Sequence, residues 1–453
     1  MGASFLRSAA SRLLRGNEQI DGLSLSWPSS SVARIIDSGC GTFPGAEDKA
    51  MAAHPADTID AFGDPLAFKV AQGSARPAVL RNEAGTDVIK VEARHLSHHQ
   101  KEAVVTEGST GSAWRIASDE GPQLGGTNLA PFPLGVFNAG LHGDLVNRIL
   151  AVAKARQLPL HDLHVYLENR YSLTGSFVRG DAVGEAEPTR VRVALRSAAS
   201  AADVNAMVGA ALAASPAMAA LRTPMQNTFA IYVNGRRRTV SALPSSPAPD
   251  ALDPFLVYAR PPRPLDAGAD LVDLIVKRGN EPGTRPLSPA SPTGRVVRPV
   301  IGNSLLVDPA GVVETDTYLG LPGSTHFALR TDERPGLGRE GDQGPSGLAC
   351  MAAGVAFCYT TQLLRYIENM KLAIRGVRMV QYTPYRLTGS LAGGDLAGSA
   401  LPVDTHLFLN GEAPDEIHEK LQKIAAVTCY LHASLAAALE PQVEVELNGE
   451  PLQ

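Results

Sequence analysis

Cys358 and Cys429 are the residues of this chain best suited to covalent chemistry. Cys358 sits in an apolar helical run, Leu348-Ala-Cys-Met-Ala-Ala-Gly-Val-Ala-Phe-Cys-Tyr, whose small residues Ala352, Ala353, Gly354 and Ala356 admit a second helix at close range. Cys429 follows Thr428 and is expected in the first turn of another helix, where unpaired N–H groups and the helix dipole favour a thiolate. If the fold joined two thiols 71 positions apart (429 − 358), one could attack a peroxide O–O bond, become a sulfenic acid and condense with the other. The same spacing also fits two buried core cysteines, which behave as small hydrophobes. His432, three residues after Cys429 on the same helix face, could tune that thiol or serve as a polar residue at a domain interface.

The elements that must carry these thiols occur twice. Tyr171-Ser-Leu-Thr-Gly-Ser176 matches Tyr385-Arg-Leu-Thr-Gly-Ser390, and Asn234-Gly235 matches Asn448-Gly449, both at an offset of 214 (385 − 171; 448 − 234). That ruler puts Cys358 opposite Asp144 and Cys429 opposite Ser215, so only the second copy keeps its cysteines. Asp144 reads either as a buried acid with a partner or as the solvent-facing residue of a degenerate copy, the second reading being preferred. The first copy reads as a helix within 132–157, strands at 162–169 and 189–195, helices opening at Ala201 and Pro216, and a strand at 228–233. The second reads as a helix over 347–371 capped by Ser346, strands at 376–383 and 403–409, and a helix after Pro414 whose Asp415 and Glu416 suit its dipole. A further helix capped by Thr428 and a strand at 442–447 complete it. Strand-like segments at 65–70 and 88–93 precede the first copy. Asp64-Pro65 and Asp253-Pro254, each before an apolar strand-like run, suggest that the repeat extends upstream. Residues 241–254 and 281–294, rich in Pro and Ser, read as linker. The expected class is α+β, twice: an irregular leader over 1–60, then domains over 61–240 and 241–453.

At 453 residues the chain is long enough for two domains of roughly 150 to 200 residues. With 44% hydrophobic and 19% charged residues and a net charge of −5, it carries no electrostatic footprint for nucleic acid or an anionic membrane. No apolar run is expected to reach the roughly 18 residues of a spanning helix. Aromatic content of 5% beside 43 Gly and 33 Pro predicts cores of Ala, Leu and Val joined by considerable loop. Four cysteines are no disulfide framework and suit a reducing, cytoplasmic setting. Cys350 is expected in the core, and Cys40 exposed in the leader. Arg7, Arg12 and Arg15, without an acid before residue 18, give the leader the composition of a transit peptide or of a solvated helix. Leu6 stands where a myristoylation signal has Ser or Thr, so lipidation is not expected. His95, His98 and His99 lack a carboxylate or cysteine at ligand spacing and are expected in a solvated loop rather than on a metal. Leu124-Gly-Gly and Leu337-Gly-Arg lack the lysine of a phosphate loop. Neither metal nor cofactor is expected.

The second half resembles the OsmC/Ohr family of thiol-dependent peroxidases. The resemblance rests on Asp332-Glu-Arg-Pro335, Gly344-Pro345, the Cys358 helix, Gly389 and Val427-Thr-Cys-Tyr-Leu-His-Ala-Ser-Leu435. The first half carries the pattern without thiols, in Asp119-Glu-Gly-Pro122, Leu124-Gly-Gly-Thr-Asn128, Ala130-Pro131 and the helix through Asp144. The resemblance implies an α+β fold with strands wrapping two central helices, and a site at a dimer interface. Here that becomes an intrachain pseudo-dimer, open to further oligomerisation. It also implies that Cys358 attacks a hydroperoxide or related electrophile, that Cys429 resolves it, and that a dithiol carrier such as a lipoylated protein reduces the pair. The family's thiolate-stabilising arginine comes from an early strand, for which Arg295, Arg298 and Arg330 are candidates. The family's Pro-Glu pair before the first cysteine falls on Gly347-Leu348, and the Pro after the second on Tyr430. The carboxylate that would orient the arginine is therefore expected to be missing. A non-catalytic binding or assembly module with structural cysteines is the alternative, and neither reading calls for nucleic acid or a membrane.

Overall fold

The computed structural model describes residues 58–70, 85–177, 179–265, 273–284, 295–333 and 343–452. The leader over 1–57, with Cys40, and the larger part of the 281–294 linker lie outside them. After a helical turn at Ile59–Phe62, the first half runs β1 (Ala67–Lys69), β2 (Thr86–His95), β3 (Lys101–Glu107), β4 (Ala113–Ser118), α1 (Pro133–Ala155), β5 (His161–Thr174), β6 (Val183–Ala186) and β7 (Arg190–Arg196). It closes with α2 (Ala201–Ala214), α3 (Pro216–Arg222), β8 (Thr228–Val233) and β9 (Arg236–Arg238). The second half runs β10 (Ile275–Asn280), β11 (Val296–Val307), β12 (Val312–Leu319), β13 (Thr325–Asp332), α4 (Gly347–Asn369), β14 (Ile374–Thr388), β15 (Ala397–Ala400) and β16 (Asp404–Gly411). It closes with α5 (Asp415–Thr428), α6 (Tyr430–Ala436), β17 (Gln442–Leu447) and β18 (Glu450–Pro451).

This α+β chain forms two sheets, and each takes strands from both halves. One has the order β1-β4-β3-β2-β14-β16-β8-β9, with β15 beside β14; the other has β10-β13-β12-β11-β5-β7-β17-β18, with β6 beside β5. The joins are antiparallel at β2–β14 and β5–β11, and parallel at β8–β16 and β7–β17. Residue 240 is thus not a seam between separate sheets.

Helices α1 and α4 pack antiparallel at the centre, Asp144 against Gly347 and Phe137 against Gly354. Glycine sets that distance. A Cβ on Gly140 would strike the Met351 backbone, and one on Gly354 would come within 2.7 Å of Phe137 Cβ. Residues 347–364 of α4 are all buried. Contrary to the expectation of no spanning-length apolar segment, α4 is by length and composition apolar enough to cross a membrane. Its apolar character is accounted for by its central position, buried throughout the apolar window.

Other expectations need correction. Asp253-Pro254 opens no strand: Pro254–Ala259 is a 3-10 helix, with the Asp253 side chain accepting from Phe255 N. Thr428 does not cap α6. Its hydroxyl donates back to the Ile424 carbonyl at 2.7 Å, and Cys429 takes the N-cap position, at φ −73° and ψ 113°. His98 is exposed in the turn between β2 and β3 as expected, but its neighbours depart from a solvated loop: His99 is buried and pairs with Glu368 at 3.2 Å, and His95, at the end of β2, bonds the His98 carbonyl. Burial pulls His95 down to about 4. Among the described residues no cluster of His, Cys, Asp and Glu could hold a metal.

Candidate active site

The fold brings Cys358 and Cys429 together. Cys358 lies mid-way along α4; Cys429 lies at the bend between α5 and α6, and a side-chain hydrogen bond joins the two thiols. Both are reduced and buried. Burial, then the bond to Cys358 and that residue's negative charge when ionised, push the Cys429 thiol well above its usual range, while the backbone N–H groups of His432 and Leu431 act in the opposite sense. Gly184 on β6 makes the bend possible: a Cβ there would sit 2.8 Å from the Thr428 carbonyl oxygen.

Cys358 opens on a cavity of about 20 Å³, room for little more than a water molecule. On α4, Thr361, Gln362 and Arg365 follow Cys358 at i+3, i+4 and i+7, so one helix face supplies four of its walls. Pro133 and Leu134 bring the N-terminal, dipole-positive end of α1 to the same cavity. Phe132 and Leu319 add apolar wall. Arg298 enters from β11, where it pairs in register with Tyr171 of β5. Its Nε donates to Tyr430 Oη at 3.2 Å, and its buried Nη1 has no partner among the described residues. Arg365 donates to Gln362 Oε1 at 2.9 Å and stacks 4.3 Å from the Phe177 ring centroid. Burial pulls Arg365 down, whereas Tyr430, Glu120 and Cys358 oppose that shift.

Glu120, from the other half of the chain, places a carboxylate in the cavity wall. It accepts from Thr361 Oγ1 at 2.8 Å. Asp119 shapes the loop beneath it, accepting from Glu120 N, Thr127 N, Thr127 Oγ1 and Leu129 N. Behind it lies Lys101, fully buried, with Nζ donating to the His99 carbonyl at 2.9 Å. Burial pulls this amine down; Glu120, Asp119 and Cys358 hold it up. Tyr171, whose ring lies 5.7 Å from that of Tyr430, is pushed well up by burial and then by the two cysteines. Such a site holds two adjoining thiols, cations that interact favourably with a sulfur anion, and a carboxylate, out of bulk water.

Not every candidate residue belongs here. Arg330 pairs with Glu314 at 3.1 Å on the sheet, and Arg295 with Glu187 at the surface; neither lines the cavity. The His432 ring packs on Tyr359 and Phe229, with both nitrogens unpartnered, and burial pulls it down to about 4, so it stays neutral. Cys350 is buried and pushed up, by burial and then by Glu333 and Glu107. Sequence reasoning missed Glu120, Lys101 and Arg365; Glu120 did fall in the repeated string Asp119-Glu-Gly-Pro122.

Asp144 is buried, not solvent-facing. Its Oδ2 accepts from Ser215 Oγ at 2.5 Å and Ala217 N at 3.2 Å, and its Oδ1 pairs with Arg148 at 3.2 Å. Ser215 sits at the α2–α3 bend with φ −86° and ψ 112°, dihedral angles like the −73° and 113° of Cys429. Gly398 approaches that bend as Gly184 approaches the other. At the adjoining start of α4, Gly347 N donates to Glu333 and Ser346 N to Glu107. Glu333 is pushed up to about 8 by burial and then by Asp144.

No family model matches the chain. No curated protein matches it either. Among solved structures it is similar to an OsmC-like hydroperoxide resistance protein from Jannaschia sp., with 20% identity over 30% of this chain and 85% of that one, at a TM-score of 0.20. A likeness at that TM-score places no residue and assigns no chemistry.

Proposed function

We propose that this chain is a fused pair of OsmC-like domains, 61–240 and 241–453, whose second-half thiols reduce a hydroperoxide at the expense of a dithiol. The duplication draws support from the equivalent sheet orders and from paired features at an offset of 214: the bend residues Ser215 and Cys429, the glycines Gly184 and Gly398, and the left-handed Asn234 and Asn448. The observation that carries the chemistry is the hydrogen-bonded Cys358–Cys429 pair beside a cavity holding Arg298, Arg365 and Glu120.

The Cys358 thiolate attacks the distal oxygen of ROOH. The O–O bond breaks, sulfur gains OH, and the leaving RO⁻ takes a proton to become ROH. Arg298 and Arg365 interact with the negative charge as it moves from sulfur to the leaving oxygen. The Cys429 thiol, already in contact, then displaces hydroxide from the sulfenic acid. A Cys358–Cys429 disulfide and water result. An external dithiol, such as a lipoylated carrier in the cytoplasm, restores both thiols by exchange and leaves as its own disulfide. The first half acts as a built-in dimer partner, contributing Glu120, Phe132 and the α1 terminus to the site.

Intact-protein mass and non-reducing peptide mapping after one equivalent of tert-butyl hydroperoxide test this. The expected product is the Cys358–Cys429 disulfide within seconds. Thiols left free favour a second reading, a non-catalytic binding module. That reading draws on the burial of both thiols and on the elevated Cys429 thiol.

A further inference from the structure

A second, wider cavity of about 350 Å³ adjoins the thiol pocket and shares Glu120, Gln123, Phe132 and Leu319 with it. That volume is in the range of sites for small organic molecules. Both halves of the chain build it, one through the loop that carries Glu120 and the other through the ends of β10, β12 and β13. The 20 Å³ inner pocket can take the two oxygens of a hydroperoxide and little else. Whatever those oxygens are attached to must extend outwards past Phe132 and Leu319.

We infer that this outer cavity binds the body of the substrate and selects an uncharged, hydrogen-bonding hydroperoxide over a fatty-acid one; the inference rests on the thiol-peroxidase reading above. Among the described residues lining the outer cavity, Glu120 is the one ionisable side chain, and it already accepts from Thr361. The arginines are confined to the inner pocket. Lys277, outside the wall, donates its Nζ to the Asn128 carbonyl at 2.7 Å. A substrate carboxylate therefore meets a like charge and no cation among the described residues of the wall. The polar groups form a relay: Asn128 Nδ2 donates to Thr325 Oγ1 at 2.9 Å, and Thr325 Oγ1 donates to Asn280 Oδ1 at 2.8 Å. That leaves an amide acceptor on Asn128 and an amide donor on Asn280 for a ligand. Ser324, buried in the same wall, has no partner for its hydroxyl among the described residues. An alkyl chain laid here would strip water from these groups and return no hydrogen bond, leaving each of them unpaired. Phe132, Phe327 and Leu319 give one apolar side, as expected for a molecule of amide or alcohol character with a hydrocarbon core.

The test uses the full-length reduced protein and the rate of Cys358–Cys429 disulfide formation at limiting hydroperoxide. Three probes are compared: tert-butyl hydroperoxide, linoleic acid hydroperoxide, and the neutral hydroperoxide of N-acetyl-leucine amide. The amide probe should react at least ~10-fold faster than the other two. Ser324→Ala and Thr325→Val should raise its half-saturating concentration several-fold while leaving the tert-butyl rate unchanged, which also reports that the variants are folded. A linoleic acid hydroperoxide as fast as the amide probe, or variants that slow all three alike, would overturn the inference. A disulfide from none of the three, nor from hydrogen peroxide, would sink the peroxidase reading itself and this inference with it.

Discussion

Two corners of the molecule have similar backbone bends and opposite chemistry. At one, Cys358 on a central helix hydrogen-bonds Cys429 at a helix bend; at the other, Asp144 on the partner helix accepts from Ser215 at the corresponding bend. The thiol corner opens on a cavity with unpaired guanidinium N–H, whereas the acid corner is closed by Arg148 and by the N–H of Ala217. A carboxylate can lock a bend more firmly than a thiol, because it accepts several charge-assisted hydrogen bonds where sulfur makes weak ones. The comparison teaches that the bend itself needs only a polar contact to the central helix. Thiols there are free to serve another purpose.

Six substitutions can break or sharpen that contrast. Cys358→Ser should bring hydroperoxide turnover down to the uncatalysed rate, whereas Asp144→Asn should keep it within a few-fold; survival of turnover in the first, or its loss in the second, would erase the distinction. Arg298→Met should slow single-turnover disulfide formation by on the order of 10²-fold, while Arg148→Met at the acid corner leaves it near wild type. Asp144→Ala strands a buried guanidinium and a buried hydroxyl, and chemical denaturation should show a loss of about 3 kcal/mol with little change in rate. A further effect is on pH dependence. Glu333 is held near 8 in the folded chain against an ordinary 4.5, so the unfolded chain releases this proton first. Stability should therefore fall as pH rises from about 4.5 to about 8, and Glu333→Gln should flatten that slope. A slope unchanged in the variant would place the proton elsewhere in the Asp144, Glu107, Arg148 and Cys350 surroundings.

The regular parts of this fold were legible where polarity alternates or follows a helical period. The strands Thr228–Val233 and Gln442–Leu447 have the expected bounds, and α1, α4 and the Pro216 helix begin within a residue of where the pattern puts them. β3 and β4 were missed because their charges point inward. Every residue of Lys101–Glu107 and Ala113–Ser118 is buried, with Glu102 clamped between Arg94 and Arg115 at 2.7 and 2.8 Å. A Lys-Glu-rich segment reads as solvated until its partners are known. β12 and β13 were missed for a related reason, since Thr, Glu and Asp interrupt their apolar positions, and β11 carries Pro299 and Gly302, which read against a strand. The thiol pair was legible, yet Glu120 was not assigned to its site: its position depends on an antiparallel helix contact between halves, which no local spacing encodes. Asp144 was misjudged because a charge on a helix usually faces water, and Ser215 and Arg148 became its partners only through the fold.

The strand exchange has a consequence for how the chain is made. β2 ends up beside β14 and β5 beside β11, so when a ribosome has delivered only the first half, both strands have open edges. The parallel join of β8 to β16 then spans Thr228 to Asp404, a loop whose closure comes late and slowly. Until residues beyond 400 emerge, the nascent polypeptide carries two unfinished sheets and is exposed to aggregation through them. Cleavage at residue 240 before synthesis is complete would thus yield two sticky fragments rather than two small proteins.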